Sequence, residues 1–324
     1  MSRRNAIRAG AGLTLGALWS PGARSQAYPA RPVRILVGFG VGGNGDVTIR
    51  VVADKMASRL GQPWVIENRP SAGGVIASQS LLQSPPDGYT LMLAASSNVA
   101  MAPSLFNSLS FDPAKDFAPV GLVSRFGFLL AVNSSSGIRS VADLIAQAKA
   151  RPGALNIGTT AVGAAQYIGT ELLKAVAGID IVPVPFKTSG DAAVALRSNH
   201  VQVIFDNIPP LMPHFQSGAL RPIAMTSAER FPGLPDVPTV LESGLRYEFG
   251  SWNGLVAPRG TPDEVLELLN RELRSVVQLP DVVEKFRALG AVPATVSRAE
   301  FQRFIEDEIV FWRKTLDIAR IPKT

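Results

Sequence analysis

Residues Gly40-Val41-Gly42-Gly43-Asn44-Gly45-Asp46 decide how this chain reads. An apolar run, Val33 to Phe39, leads into them. A helical pattern with Val52, Met56 and Leu60 at four-residue spacing follows and ends at Gly61. A strand that turns into a helix on glycines aims bare backbone N–H groups at one point. The positive end of the helix dipole lies at that same point, so the corner suits an anion. Gly40-x-Gly42-x-x-Gly45 also satisfies the dinucleotide fingerprint, and Glu67 ends the next strand, where a ribose-binding acid belongs. Against an exported NAD(P)-dependent oxidoreductase, no Tyr-x-x-x-Lys or Asp-His pair stands downstream for hydride transfer. Glu67 also runs straight into the rigid turn Asn68-Arg69-Pro70.

Outward from the corner, strands and helices alternate. Trp64–Glu67 reads as a second strand. A helix runs from Gly73-Gly74 to about Leu82, Pro85-Pro86-Asp87-Gly88 makes a turn, and the strand Tyr89–Ala94 ends in Ser96-Ser97-Asn98. This β-α-β-α-β order predicts a parallel sheet with helices on both faces. Two apolar runs within Val120–Val132, parted by Ser124-Arg125-Phe126-Gly127, read as a strand leaving one domain and a strand entering the next. The second unit repeats the grammar, with helices Val141–Ala150, Gln166–Ala177 and Asp191–Ser198 among strands Leu155–Gly158, Ile181–Phe186, Val201–Phe205 and Leu220–Thr226. Phe249–Ala257 then brings the chain back. Thr261-Pro262-Asp263-Glu264 reads as a capping box for the next helix. A last helix, from Ala299 to about Ile318, turns Phe301, Ile305, Trp312 and Leu316 to one face.

The first residues speak to compartment. Arg3, Arg4 and Arg8, an apolar stretch from Ala9 to Trp19, and Ser25-Gln26-Ala27 have the layout of an export signal cleaved near Ala27. Ser2-Arg3-Arg4-Asn5-Ala6 fits a twin-arginine signal except that Ala6 replaces the usual aromatic or leucine, so the ordinary secretory route stays open. Four of the chain's 32 basic residues and none of its 26 acids lie in 1–27, which leaves 28 basic against 26 acidic side chains. With no basic stripe, nucleic acid is not an expected partner. The absence of cysteine excludes disulfides, thiolate metal sites and a cysteine nucleophile. Only His200 and His214 are present, in no H-x-x-x-H spacing, so neither a metal nor a cofactor is expected.

The chain resembles the Bug-type extracytoplasmic solute-binding proteins of tripartite tricarboxylate transporters over nearly all of its mature length. The resemblance rests on Tyr28-Pro29-Ala30-Arg31-Pro32, on Phe39, Gly42, Gly43 and Asp46 (with Gly38 where the family has Pro), and on Glu67-Asn68-Arg69-Pro70-Ser71-Ala72-Gly73-Gly74. Further along come Asp87-Gly88-Tyr89-Thr90-Leu91, Phe205-Asp206-Asn207, Leu234-Pro235-Asp236-Val237-Pro238-Thr239 and Ser251-Trp252-Asn253-Gly254-Leu255-Val256-Ala257-Pro258. It implies an α/β, two-domain periplasmic-binding-protein fold of type II (Venus-flytrap), with the ligand cleft between the domains. Domain 1 would be 28–128 plus 251–324, and domain 2 would be 129–250. It also implies a monomeric, periplasmic, non-enzymatic receptor that delivers a small organic acid to inner-membrane permease subunits. A receptor feeding a signalling partner stays open.

Ligands of open α/β sheets sit at the C-terminal strand ends. Those ends supply Phe39, Gly42, Gly43, Asn44, Ser96, Ser97 and Asn98 from domain 1. Domain 2 supplies Ala161, Gly163, Ala164, Gln166, Tyr167, Lys187, Thr188 and Asp206. Gly42 and Gly43 are expected to donate N–H groups to a carboxylate, with Asp46 bracing the turn. Lys187 would neutralise a second acid group or sit in a solvated loop; Asp206 would pair with a ligand amine or hydroxyl, or cap the following turn. Where the family commonly shows Gly-x-Gly-(Thr/Ser)-Ser-x-His, this chain has Ala161-Val162-Gly163-Ala164-Ala165-Gln166-Tyr167. Methyls and a phenol in place of hydroxyls and an imidazole favour a larger, partly apolar or aromatic acid, packed on Tyr167 and Phe39, over a small ligand such as citrate.

Overall fold

The computed structural model describes residues 28–160 and 164–323. The export-signal reading of 1–27 and the expected site residues Ala161 and Gly163 lie outside the described residues. Eleven strands among the described residues form two sheets. The first contains β1 (Val33–Val37), β2 (Trp64–Asn68), β3 (Thr90–Ala95), β4 (Phe117–Gly127), β10 (Gly250–Pro258) and β11 (Ala291–Pro293), in the order β11-β4-β10-β3-β1-β2. The second contains β5 (Leu129–Asn133), β6 (Asn156–Thr159), β7 (Val182–Pro185), β8 (Val203–Asp206) and β9 (Leu220–Met225), in the order β7-β6-β8-β5-β9.

The expected parallel pairing holds for β2-β1-β3 and for β7-β6-β8. Elsewhere the sheets are mixed. Strand β10 runs antiparallel to both β3 and β4, with Asn253 opposite Ala95 and Ser124, and β5 runs antiparallel to β8 and β9. The returning strand enters the sheet from the far side of the chain, so local alternation of strand and helix does not determine its direction.

Alternation along β1 explains how the first sheet is covered. Val33, Ile35 and Val37 face a core built with Ile49, Val52 and Met56 of the helix Asn44–Leu60 and Leu269 and Leu273 of the helix Asp263–Val276. Leu36 points the other way, into a core that continues through Phe128 to Phe205 and Ile157 of the second sheet. That second core is closed by the helix Arg298–Ile318, whose Phe301, Ile305, Trp312 and Leu316 are buried. Its N-terminus carries a capping box between Ser297 and Glu300. The capping box read at Thr261 does not form: the Thr261 hydroxyl donates back to the Pro258 carbonyl at 2.8 Å, and Pro262 stands at the cap position without a side-chain bond.

The two sheets are joined at two crossings bonded to each other. Strand β4 passes into β5 through Phe128, and 226–249 link β9 back to β10. The Phe128 N–H donates to Thr226 Oγ1 at 2.9 Å, Thr226 Oγ1 donates to the Phe249 carbonyl at 2.6 Å, and the Phe249 N–H donates to the Thr226 carbonyl at 2.7 Å. Around this clasp Phe128, Phe205, Phe249 and Trp312 pack with ring centroids 5.1–5.7 Å apart. Glu308 accepts both the Trp252 and Trp312 indole N–H groups, at 2.7 and 3.0 Å, and so ties β10 to the last helix.

Candidate functional site

A cleft of about 880 Å³ opens beside the crossings, lined by strands of the first sheet and, across from them, by residues 164–167, Glu171 and Asn207 next to the second. Three helical N-termini meet there. Asn44 and Gly45 start the helix Asn44–Leu60, Ser96 and Ser97 start the π-helical turn Ser96–Met101, and Ala165, Gln166 and Tyr167 start the helix Ala165–Ala177. The residues before the first and third, Gly43 and Ala164, provide no side-chain cap. First-turn N–H groups have no carbonyl within their own helix, so these ends present unmatched donors and partial positive charge to the cleft. The remaining wall is mostly apolar, with Phe39, Met101, Leu105, Phe106, Phe126 and Phe128. Glu171 and Arg320 are the ionisable side chains, apart from Tyr167, among the described residues that line it. Glu171 is paired with Lys174 at 3.3 Å.

The glycine corner itself is arranged differently from the sequence expectation. Gly42 adopts φ +86°, a conformation that favours glycine, and its N–H donates to Asp46 Oδ2 at 2.9 Å. It is therefore not a free donor. Gly43 is exposed and does not line the cleft. The donors at this end are the amides one step further on, at Asn44 and Gly45; the Asn44 side chain is turned aside to the Leu289 carbonyl at 2.9 Å. Asp46, 1% exposed, also accepts from Arg50 Nε and Nη2 at 3.0 and 2.9 Å and from Asn68 Nδ2 at 2.8 Å. Burial pushes its carboxyl up, but the bonds from Arg50, Gly42 and Asn68 outweigh it and hold the group below the ordinary carboxylate value. Glu67, which the dinucleotide reading needs for a ribose, is held by Arg69 and Arg34 at 2.6 and 3.3 Å.

Several expected site residues stand behind or away from the cleft wall. Asn98 is fully buried; its Oδ1 accepts the Ala95 N–H at 2.7 Å and its Nδ2 donates to the Leu93 carbonyl at 3.0 Å, which shapes the turn that presents Ser96 and Ser97. Lys187 and Thr188 are exposed and do not line the cleft. Thr188 caps the helix Ser189–Arg197 by accepting the Asp191 N–H at 3.1 Å. Asp206 is fully buried behind two lining residues, where its Oδ1 accepts from Gln166 Nε2 at 3.1 Å and from the Asn207 N–H at 2.7 Å, and the Ser189 side chain is a further donor to the carboxylate. Burial pushes its carboxyl above the ordinary value against those hydrogen bonds.

Sequence reasoning did not mark Gly45, Ser251 or Asn253 as lining residues, nor the segment Ala319–Pro322. Ser251 and Asn253 lie in the Ser-Trp-Asn-Gly stretch already quoted, and period-two alternation around the buried Trp252 would have turned both to one face. The Ser251 hydroxyl bonds the Ser96 hydroxyl, and Asn253 is 2% exposed with Nδ2 unpartnered. Nothing local in the sequence marks the C-terminal segment.

Comparison with known proteins agrees with this architecture. BugT of Bordetella pertussis (strain Tohama I) is 38% identical over 290 residues, 89% of each chain. An R. palustris protein solved with adipate superposes with a TM-score of 0.79 at 36% identity, covering 92% of this chain and all of the other. MatC from Rhodopseudomonas palustris with bound malate gives 0.74 at 31% identity, covering 89% and 100%. The two-sheet architecture is thus the fold of periplasmic solute-binding proteins. With the profile described as tripartite tricarboxylate transporter family receptor matching residues 48–319, this chain belongs to the Bug-type receptors of tripartite tricarboxylate transporters.

Proposed function

We propose that the chain is an exported receptor that captures a carboxylate-bearing small molecule in the cleft and hands it to membrane permease subunits, without catalysing a reaction on it. Residues 28–128 with 251–324 form one lobe and 129–250 the other, and the two close on the ligand about the bonded crossings at Phe128 and Phe249. The observation that carries this reading is the convergence of three helical N-termini, from both sheets, on one cleft with a mostly apolar wall. Amides of Asn44, Gly45, Ser97, Gln166 and Tyr167 hold the carboxylate, with the Ser96, Ser251 and Asn253 side chains behind them. Each contact exchanges a water for an oriented dipole, and neither partner has to bury a full counter-charge.

The apolar surface of Phe39, Phe106, Phe126 and Tyr167 suits a ligand with a hydrocarbon or aromatic body rather than a compact, highly hydrated acid. The adipate and malate bound by the similar R. palustris proteins make those two acids the first to try. A thermal-shift screen of organic acids tests the reading, because a ligand that binds only the folded state raises the melting midpoint with its concentration. A concentration-dependent rise is expected with at least one medium-chain or aromatic carboxylate and a smaller one with citrate. No response to any carboxylate would refute carboxylate capture, and a strong response to citrate alone would refute the preference for an apolar body.

A further inference from the structure

Arg320 is the one cation among the described residues that line the cleft. It sits where the helix Arg298–Ile318 ends, in a cap of Schellman type: the Ile321 N–H donates to the Leu316 carbonyl at 3.0 Å and the Arg320 N–H to the Asp317 carbonyl at 3.2 Å. Arg320 occupies the left-handed position of that cap, with φ +53°. Glycine takes this position without strain, and an arginine does so against its own Cβ. The chain uses glycine at the equivalent place elsewhere, Gly61 and Gly178 ending the helices Asn44–Leu60 and Ala165–Ala177. Ala319 is buried and Ile321 packs on the core, so the backbone that carries Arg320 is anchored on both sides. Its side chain is exposed and has no ion pair or side-chain hydrogen bond among the described residues. The acid that lines the same cleft, Glu171, is already matched by Lys174.

An arginine held in a strained backbone position at a ligand cleft, with its charge unspent, points to a role in that cleft. Met101, Leu105 and Phe106 are apolar residues of the same wall, the helix Ala102–Leu105 packs against the last helix, and Asn44 and Gly45 line the cleft from the start of the helix Asn44–Leu60. We infer that Arg320 is a specificity-determining residue: it takes a second anionic group, carried beyond an apolar spacer, on a ligand whose first carboxylate lies at the helical N-termini. This rests on the carboxylate-capture reading. It gives the role considered for Lys187 to a residue that does line the cleft.

Calorimetric titration of the mature chain tests it, with straight-chain dicarboxylates from succinate to sebacate and monocarboxylates of equal length, against Arg320→Gly and Arg320→Lys. The wild type is expected to prefer a dicarboxylate over its equal-length monocarboxylate. Arg320→Gly should weaken that dicarboxylate by about tenfold or more, the loss of one charge-assisted contact. It should leave the monocarboxylate unchanged and the ligand-free melting temperature equal or higher, since the strained backbone is relieved. Arg320→Lys should fall between the two. If Arg320→Gly leaves the ratio of the two affinities unaltered, the inference is overturned while carboxylate capture stands. If the wild type binds no carboxylate, both fall.

Discussion

Replacing Asp46 by Asn removes one charge and leaves the shape of the glycine corner nearly unchanged. In the native corner the carboxylate receives four hydrogen bonds, from Gly42, Asn68 and twice from Arg50. Hydrogen bonds to charged groups contribute about 1.5–3 kcal/mol each, but these four share one acceptor and do not add. The Arg50 side chain is 43% exposed and Gly42 is exposed, so both regain water in the variant. The half-buried Asn68 amide and the turn it holds do not recover fully. We expect a net loss of about 2 kcal/mol, seen as a drop of roughly 4–8 °C in melting temperature. The pH dependence carries the sharper signature. The folded-state pKa of Asp46 is depressed, so its contribution is complete above the ordinary carboxylate value and is lost as pH falls through the folded value. Wild type and Asp46→Asn should therefore differ at neutral pH and converge in acid. Scanning calorimetry at several pH values reads this directly; equal melting temperatures at neutral pH, or parallel curves down to acid, would refute the argument that Asp46 holds the corner as a carboxylate.

Asp206 should behave in the opposite sense. Its carboxyl is raised by burial, so the cost of ionising it in the folded state appears as pH rises above the ordinary carboxylate value. Asp206→Asn is thus expected to be more stable than wild type at neutral pH, with the gain shrinking in acid; a loss of stability at neutral pH would contradict this. Gly169→Ala tests the packing that positions the helix Ala165–Ala177 at the cleft. The new Cβ would meet Phe205 Cζ at 2.5 Å and Phe249 Cε1 at 2.9 Å, so urea denaturation should show a loss of about 1–3 kcal/mol despite the better helix former. An unchanged midpoint would mean that the aromatic clasp is looser than described.

How much of this was legible in the sequence depends on how far each feature reaches along the chain. Strands and helices within either sheet follow local periodicity, and the alternation Val33, Ile35, Val37 against Leu36 assigns the two faces of β1 without any structure. The antiparallel course of β10 depends on a pairing with β3 that spans more than 150 residues, so local pattern carries no trace of it. The glycine corner was legible as a place of bare amides, but which amides remain free depends on Asp46 folding back onto Gly42, a choice of rotamer rather than of residue type. Thr261 and Ser297 both stand three residues before a glutamate, and only the second caps its helix. Lys187 followed a strand and looked like a cleft residue, yet Thr188 begins a helix there and the lysine faces solvent. Arg320 lay in no motif, because the last helix must pack across the molecule before its end can reach the cleft.

The most direct test of the account is a nitrogen–proton correlation spectrum of the mature chain titrated with adipate. The account predicts that amide resonances of Asn44, Gly45, Ser97, Gln166 and Tyr167 shift together, saturating at one stoichiometric ligand, while that of Gly42, bonded to Asp46, moves little. Saturable shifts confined to other parts of the chain, or to one sheet alone, would contradict a carboxylate held by helical N-termini from both.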